Sequence, residues 1–512
     1  MKAKSIIKVL DFGGQYSHLI CRRVREVGVY AELEPFDTNI ENLMNEDVKG
    51  IILSGGPASV YQRDAPICDL RVFRLGKPIL GICYGLQLIA YLFDGKVSRS
   101  ERREYGKAAL YIDDKSELFQ GLEDKIDCWM SHGDKVEELP RNFEVIAHTD
   151  NSPYAAIRSK DRLIFGVQFH PEVAHTPRGI DIIRNFVYRI SKAERSWDMK
   201  NFVEEKVKEI REKVKDEKVL CAISGGVDST TTAVLVDRAI GKNLTCIFVD
   251  HGLLRKKEAE RVLEILERMK LNIVFVDAKE DFLEKLKGVK DPEEKRRVIG
   301  EEFVRVFTKK SLELGRFGWL AQGTLYPDVI ESAKTGSKAS RIKTHHNVAG
   351  LPDWIEFKLL EPLKELYKDE VREVAKLLGL PDEIVKRHPF PGPGLAVRII
   401  GEVNEEKLRI CREASYIVEE ELIKANLYDK VWQAFAFVGD DKVVGVLGDE
   451  RKLGYVVTIR IVESTDAMTA DWLRIPYDLL AKISSRITNE VDGVTLVTYA
   501  ISSKPPSTIE PQ

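Results

Sequence analysis

The chain has 512 residues, more than one hydrophobic core usually holds, and therefore divides into two or three domains. Hydrophobic residues make up 44% and charged residues 31%, proportions that exclude disordered and collagen-like chains. The 79 basic and 82 acidic side chains give a formal net charge of −3, too balanced for a general nucleic-acid or membrane binder.

No part of the sequence approaches the roughly 20 consecutive apolar residues of a membrane-spanning helix, and Lys8 interrupts the N-terminal apolar run. The seven cysteines are scattered and include no C-x-x-C pair, which argues against a disulfide framework and against a structural zinc site. We therefore expect a soluble protein of the reducing cytoplasm, with no membrane or nucleic-acid partner.

Three short apolar runs near the N-terminus predict buried strands, each followed by a turn, at residues 6–10, 51–53 and 78–83. The first two end in the glycine-containing strings DFGGQ and SGGP. Strands that alternate with helices imply a parallel sheet covered on both faces, with active groups at the carboxyl ends of the strands.

The string GICYGLQ places Cys83 between two glycines where a strand meets a helix. Glycines permit the sharp turn that exposes a nucleophile, and the N–H groups and dipole of the following helix favour the thiolate. The backbone N–H groups of Tyr84 and of Gly56 in the SGGP turn are candidate donors to an oxyanion. The pattern therefore predicts a cysteine nucleophile.

A cysteine nucleophile needs a base and a carboxylate that orients it, and the string QFHPE supplies both. His170 and Glu172 lie two residues apart on an extended segment, so their side chains point the same way. A single buried cysteine or histidine is usually structural, but a glycine turn, a cysteine elbow and His-x-Glu in this order resemble the class I glutamine amidotransferases. The resemblance covers about residues 5–192. It implies that Cys83 attacks the glutamine amide and releases ammonia, with His170 as base then acid and Glu172 holding the imidazole.

A charged, helix-forming stretch at residues 191–215 is a candidate linker, and a second strand–turn–helix series begins at Lys218. Its first strand is followed by SGGVDST, whose glycines and hydroxyls offer donors to an anion at a helix N-terminus. A bare Gly-Gly after a strand is usually only a turn, and the Walker A lysine pattern is missing. The whole string nevertheless resembles the PP-loop of N-type ATP pyrophosphatases. The ATP-binding residues that the resemblance implies are Ser224, Gly225, Gly226, Val227, Asp228, Ser229 and Thr230, with Asp228 also a candidate Mg²⁺ ligand.

Beyond the third predicted strand of this series, residues 332–347 are small or basic, with almost no apolar side chain. Alone, such a stretch is typical of a disordered surface loop. Beside a phosphate site, we interpret it and the residues just before it as a lid over anionic substrates. The predicted lid residues are Asp328, Glu331, Lys343, Thr344, His345 and His346. A metal pair at the two adjacent histidines is not expected, because no third ligand is near.

The string HPFPGPGL predicts a rigid loop and opens a third region, with predicted strands at 455–462 and 493–501 and a predicted helix at 477–491. Together with the closing string KPPSTIE, it makes nearly the whole chain resemble the glutamine-hydrolysing GMP synthase family. The resemblance implies that XMP is adenylated by ATP with Mg²⁺ and that ammonia then displaces AMP. The implied XMP-binding residues are Arg296, Gln433, Lys504, Ile509 and Glu510. It also implies a homodimer.

The chain departs from the family at Pro511 and Gln512, where an aromatic and an acidic residue are usual. The predicted architecture is two parallel-sheet α/β domains, an amidotransferase domain at residues 1–192 and an adenine-nucleotide-hydrolase-like PP-loop domain at 193–388. A small α+β domain for dimerisation and XMP binding follows at 389–512.

Three rival functions remain to be separated. An NAD synthetase would lack KPPSTIE and this type of glutaminase. A tRNA-modifying PP-loop enzyme would carry a basic face or zinc-spaced cysteines. A non-catalytic binding protein on the same fold is disfavoured by the presence of Cys83, His170 and Glu172 together with a full PP-loop.

Overall fold

The computed structural model describes residues 5–161, 163–334, 357–447, 450–464 and 469–512. The chain forms two compact units, Met1–Phe202 and Val203–Gln512. The division into three domains at 192/193 and 388/389 stays a prediction. Four of the predicted lid residues, Lys343, Thr344, His345 and His346, lie outside the described residues.

The first unit contains nine strands among its described residues. They are β1 (Ile6–Asp11), β2 (Tyr30–Pro35), β3 (Val48–Leu53), β4 (Ile79–Ile82), β5 (Lys96–Ile112), β6 (Lys125–Glu138), β7 (Phe143–His148), β8 (Ala156–Ser159) and β9 (Ile164–Val167). Its helices are α1 (Ser17–Glu26), α2 (Glu41–Met44), α3 (Tyr84–Leu92) and α4 (Gly179–Arg184), and α4 continues as a π-helix over Asn185–Ile190.

These strands form one sheet in the order β2-β1-β3-β4-β9-β8-β7-β5-β6. The first five strands in this order, β2, β1, β3, β4 and β9, pair in parallel, as predicted. Of these, β1 and β4 are almost entirely buried. The remaining strands pair antiparallel and were not predicted. Their side chains alternate between buried and exposed, as in β6, which is typical of a sheet with one solvated face.

The second unit begins within α5 (Met199–Val214), where the sequence predicted a charged helical linker. Its strands are β10 (Val219–Ile223), β11 (Leu244–Asp250), β12 (Ile273–Asp277), β13 (Trp319–Ala321), β14 (Lys358–Leu360), β15 (Gln433–Leu447), β16 (Glu450–Glu463), β17 (Asp471–Trp472) and β18 (Val494–Tyr499). Its further helices are α6 (Val227–Ile240), α7 (Glu258–Arg268), α8 (Lys279–Leu286), α9 (Pro292–Glu313), α10 (Tyr326–Lys334), α11 (Lys368–Leu377), α12 (Asp382–Val385), α13 (Glu405–Lys424) and α14 (Tyr477–Glu490).

A parallel sheet of order β12-β11-β10-β13-β14 forms the first part of this unit. Its strands run in one direction, so the loops that follow β10, β11 and β13 lie at the same edge. The amphipathic helix predicted at 256–270 is confirmed as α7, which buries Val262, Ile265 and Leu266. The parallel sheet thus brings the PP-loop, after β10, to an edge shared with two other loops.

A second sheet in this unit is centred on β16, which pairs antiparallel with β15 and β17 and parallel with β18. The predicted strands and helix of the C-terminal region are therefore confirmed. One hydrophobic core holds residues of the parallel sheet, such as Leu220, and of the second sheet, such as Ile459. The fold class, two α/β regions with a C-terminal α+β region, is confirmed.

The predicted rigid loop HPFPGPGL is irregular over residues 388–393, but Gly394–Arg398 forms a 3₁₀ helix. Gly394 has a positive φ of 62°, and a Cβ at this position would lie 2.4 Å from the main-chain oxygen of Leu253. The loop is therefore fixed closely against the segment that follows β11. In the described ranges, no helix is both long and apolar enough to cross a membrane.

Candidate active site

Cys83 lies at the junction of β4 and α3 in a backbone conformation that a non-glycine residue rarely adopts, with φ 53° and ψ −102°. Such a conformation costs about 1–3 kcal/mol and persists only where the surroundings enforce it. Here the strand and the helix approach closely at two glycines. A Cβ on Gly81 would lie 2.5 Å from the backbone of Gly85, and a Cβ on Gly85 would lie 2.4 Å from the Leu53 oxygen. The glycines of the motif therefore permit the turn that the sequence predicted.

The predicted base and carboxylate lie beside the cysteine. His170 Nδ1 is 2.7 Å from Glu172 Oε1, and because a carboxylate only accepts, Nδ1 carries the proton. The imidazole also interacts with Cys83, and Nε2 is the ring nitrogen that remains for this interaction. Burial lowers the pKa of His170, but the charges of Glu172 and Cys83 outweigh burial and raise this pKa well above its usual value. The arrangement favours the protonated, imidazolium form of His170.

The backbone of His170 is fixed by a neighbouring strand. Its N–H donates to the Trp129 oxygen at 3.0 Å, and its own oxygen accepts from Thr176 Oγ1 at 2.7 Å. The main-chain oxygen of Glu172 accepts from Arg23 Nε at 2.9 Å. Among the described residues, Glu172 Oε2 is buried and has no hydrogen-bond partner. The carboxylate is therefore shielded from solvent, which strengthens its interaction with the imidazole.

The turn that contains Gly55 and Gly56 packs against both His170 and Cys83. A Cβ on Gly55 would lie 3.2 Å from His170 Cε1 and 3.8 Å from Cys83 Cβ. Tyr84 is the first residue of α3, so its N–H has no partner within the helix. In the described part of the chain, the N–H of Gly56 is not used in a hydrogen bond either. Both groups are thus available to an oxyanion.

The PP-loop joins β10 to α6, and its hydroxyls hold its shape. Ser229 Oγ lies 3.2 Å from the Ser224 N–H and 3.0 Å from Ser224 Oγ, while Gly225 has a positive φ of 74°. Helix α6 begins at Val227, so its N-terminus lies at this loop. Arg387 Nη1 donates a hydrogen bond to the Gly225 oxygen at 2.9 Å. The structure therefore brings the seven predicted ATP-binding residues together at one helix N-terminus, an arrangement that attracts anions.

Asp228 is ion-paired with Lys368, the first residue of α11, through Oδ2. Its Oδ1 is buried and has no hydrogen-bond partner within the described residues. Magnesium is usually held by one or two carboxylates together with substrate phosphates, so a carboxylate with one free oxygen fits this ion. No cluster of three or more metal-binding side chains occurs within the described ranges. Sequence analysis missed Lys368, because it is 140 residues from Asp228.

The two predicted lid residues that the structure describes, Asp328 and Glu331, lie on α10. Asp328 Oδ2 accepts from the Leu325 N–H at 2.9 Å, at the start of the helix. A Cβ on Gly323, in the loop before this helix, would lie 3.2–3.3 Å from the backbone of Asp228 and Ser229. The loop after β13 is therefore packed directly on the PP-loop.

The C-terminal segment brings four of the five predicted XMP-binding residues towards one another. Gln433 Nε2 lies 2.5 Å from Glu510 Oε1, and Ile509, the residue before Glu510, is half-buried. Arg296 Nη2 lies 2.7 Å from the main-chain oxygen of Gln512, two residues after Glu510. The backbone of Lys504 pairs with that of Ala470.

Two residues that sequence analysis missed hold this segment. Arg398 is buried and makes a bidentate ion pair with Glu510, at 2.9 and 2.8 Å. Lys295 Nζ donates to Gln512 Oε1 at 2.6 Å and to the Ile399 oxygen at 2.6 Å. Burial, together with the charge of Lys407, lowers the pKa of Lys295 to about 8. Lys295 is adjacent to the predicted Arg296, which was the one available signal in the sequence.

Three family models match the chain. The model of glutamine amidotransferase class-I matches residues 8–190, that of the PP-loop domain residues 199–298, and that of the GMP synthase C terminal domain residues 420–511. These matches contain the Cys83–His170–Glu172 arrangement, the PP-loop and the C-terminal segment, respectively.

Curated relatives that carry the name GMP synthase [glutamine-hydrolyzing] match over nearly the full chain. The protein of Aquifex aeolicus is 57% identical over 505 residues, which cover 98% of this chain and 99% of the relative. That of Carboxydothermus hydrogenoformans is 56% identical, covering 99% of each chain, and that of Gloeothece citriformis is 55% identical, covering 99% and 95%. The chain therefore belongs to the family of glutamine-hydrolysing GMP synthases.

Proposed function

We propose that this protein converts XMP to GMP with ATP and with ammonia that it releases from glutamine. The proposal depends on one observation: Cys83, His170 and Glu172 lie next to one another in a chain that also contains a PP-loop. The names of the full-length relatives support the same function.

In the glutaminase half, the Cys83 thiolate attacks the side-chain carbonyl carbon of glutamine. The resulting oxyanion accepts hydrogen bonds from the N–H groups of Gly56 and Tyr84. His170 Nε2 gives its proton to the departing ammonia, which leaves a glutamyl thioester. His170 then takes a proton from water as the water attacks the thioester, and glutamate and the free thiol are formed. Throughout, Glu172 accepts a hydrogen bond from Nδ1–H of His170 and keeps Nε2 directed at the sulfur.

In the synthetase half, the O2 oxygen of XMP attacks the α-phosphorus of ATP, which forms adenyl-XMP and releases pyrophosphate. Ammonia then attacks C2 and displaces AMP. The PP-loop N–H groups, with the Ser224 and Ser229 hydroxyls, bind the pyrophosphate portion, and the Lys368 ammonium adds positive charge at the loop. When bound with ATP, Mg²⁺ neutralises phosphate charge, and Asp228 is the residue that fits it.

XMP binding is assigned to Arg296, Gln433, Lys504, Ile509 and Glu510. Arg296 and Lys504 carry the positive charge that suits a phosphate monoester, and Glu510 and Gln433 offer an acceptor and an amide to the purine or ribose. The contact between Gln433 and Glu510 supports a shared role. The lid role of Asp328, Glu331, Lys343, Thr344, His345 and His346 is part of the same proposal.

Two broader assignments complete the proposal. A homodimer is supported by three exposed apolar side chains on one face of the β15–β16 ribbon, where Val444 and Val446 lie two apart and Val444 pairs with Leu453. A reducing compartment, the cytoplasm, is supported by the seven cysteines, all of which are buried and none of which forms a disulfide among the described residues.

The adenyl-XMP step can be tested by isotope transfer. The protein would be incubated with ATP, Mg²⁺, ammonium and XMP that carries ¹⁸O at C2, and the AMP would be analysed by mass spectrometry. The proposed route transfers this oxygen to AMP, so the AMP should gain one ¹⁸O. Unlabelled AMP formed together with GMP would overturn the route, and AMP without GMP would show that the acceptor is not XMP.

A further inference from the structure

Two buried side-chain amides connect the backbone to the sulfur of Cys83. Gln168 Nε2 lies 3.7 Å from Cys83 Sγ, and the Gln168 side chain is fully shielded from solvent. Gln168 Oε1 lies 3.4 Å from Gln87 Nε2, which in turn lies 2.9 Å from the main-chain oxygen of Asp134. Neither glutamine side chain has a role in the mechanism proposed above.

The Asp134 carbonyl determines which end of each amide faces the sulfur. A carbonyl oxygen only accepts hydrogen bonds, so Gln87 must present its NH₂ group to Asp134. The same NH₂ group faces Gln168, which must therefore present its oxygen to Gln87 and its NH₂ group to Cys83. With the Gln168 amide reversed, two NH₂ groups would face each other and an oxygen would face the sulfur. The observed network therefore places an N–H donor at the sulfur.

An N–H donor at this position favours the thiolate over the thiol. Cys83 Sγ also lies 3.7 Å from the main-chain oxygen of Ser131, which can accept the S–H proton of the neutral thiol. The sulfur thus has a partner in each state: Ser131 while it is protonated, and Gln168 with His170 once the proton has left. Hydrogen bonds to a charged group are shorter and stronger than those between neutral groups, so the Gln168 donor gains most in the thiolate.

We propose that Gln168 is a further catalytic residue of the glutaminase site, whose amide N–H stabilises the Cys83 thiolate. Gln87 is a positioning residue, which orients the Gln168 amide through its contact with Asp134. The inference rests on the proposed role of Cys83 as the nucleophile. It adds to that role a second side chain that acts on the reacting sulfur, besides His170.

The test measures the reactivity of Cys83 rather than the whole reaction. Full-length wild type, Gln168→Met and Gln168→Glu would be treated with iodoacetamide between about pH 5 and pH 9, and alkylation of the Cys83 peptide would be followed by mass spectrometry. Methionine keeps the volume but has no donor, and glutamate places an oxygen at the sulfur. We expect alkylation at neutral pH to slow about tenfold in Gln168→Met and further in Gln168→Glu, with the midpoint of the pH–rate profile displaced upward.

A purely structural role would lower stability without displacing that midpoint. Gln120→Met, at an exposed position in the same unit, is the matched control and should behave as wild type. If the Gln168 variants do not fold, Gln87→Leu leaves Gln168 in place and should shift the profile in the same direction by less. Wild-type rates and midpoints in the folded variants would overturn the inference. Failure of the proposed function has a different signature, namely glutaminase activity that persists in Cys83→Ala.

Discussion

The carboxylate of Glu510 accepts two hydrogen bonds from the guanidinium of Arg398, from Nε at 2.9 Å and from Nη2 at 2.8 Å. The Arg398 guanidinium carbon also lies 4.0 Å from the centre of the Phe435 ring. The ion pair fixes the C-terminal segment across 112 residues of sequence. Because the pair is largely buried, it holds the Glu510 carboxylate in one orientation.

Replacing Arg398 by lysine should weaken XMP binding. Lysine keeps the charge but cannot form the bidentate pair, so Glu510 loses its fixed orientation. We expect the KM for XMP to rise about tenfold or more while the KM for ATP changes little. Steady-state kinetics with ammonium measures both. Arg474→Lys, at an exposed ion pair of the same unit, is the control, and an unchanged KM for XMP in Arg398→Lys would contradict this role.

Replacing Glu172 by glutamine should reduce glutamine hydrolysis by about 10²-fold. The variant keeps the volume of the side chain but removes the negative charge that raises the pKa of His170. Synthesis of GMP from ammonium should continue at the wild-type rate, since it does not use the triad. The control is Glu137→Gln, at an exposed ion pair with Lys96 in the same unit. Equal loss with both nitrogen sources would show that Glu172 acts on folding rather than on His170.

Adding a methyl group at Gly85 should destabilise the first unit by about 1–3 kcal/mol. The new Cβ would lie 2.4 Å from the Leu53 main-chain oxygen, which belongs to a central strand and cannot move alone. The control is Gly133→Ala, where the nearest atom, Tyr105 Oη, is 3.7 Å away. The free energy of unfolding of this unit in urea measures the difference. Equal stability of the two variants would mean that the turn at Cys83 does not require the glycine.

The second unit should lose stability in mild acid because of His251. Burial lowers the pKa of His251 to about 4, against a usual value of 6.5, although Asp250 acts in the opposite direction. Between these values the unfolded chain binds a proton that the folded chain does not, so stability falls as the pH falls from about 6.5 to about 4. The contribution lost between pH 7 and pH 5 is roughly 2 kcal/mol.

The His251→Asn variant should lose this part of the acid sensitivity. The asparagine oxygen can replace His251 Nδ1 as the acceptor for the Leu253 N–H, which lies 3.1 Å away. The measurement is the free energy of unfolding in urea at pH 7 and at pH 5, with the half-exposed His148→Asn as the control. If the variant and wild type lose the same stability, another group is responsible.

The sequence predicted most reliably those features that residues close together in the chain determine. The spacing of Gly81, Cys83 and Gly85 decides a local turn, and the alternation of apolar runs with helices predicted the parallel strands. Arg398 and Lys368 were missed because their partners lie 112 and 140 residues away, and no local pattern distinguishes a paired cation from a solvated one. The antiparallel strands of the first sheet were missed for a different reason. Buried and exposed side chains alternate along them, so these strands contain no continuous apolar run that would mark a strand in the sequence.

In the proposed mechanism, ammonia is made at Cys83 and used at a separate synthetase site. The most direct test measures GMP formation by wild type and Cys83→Ala with ATP, Mg²⁺ and XMP, supplying either glutamine or ammonium. We predict that wild type uses both nitrogen sources and that Cys83→Ala uses ammonium alone, at the wild-type rate. Glutamine-dependent synthesis of GMP by Cys83→Ala would contradict it.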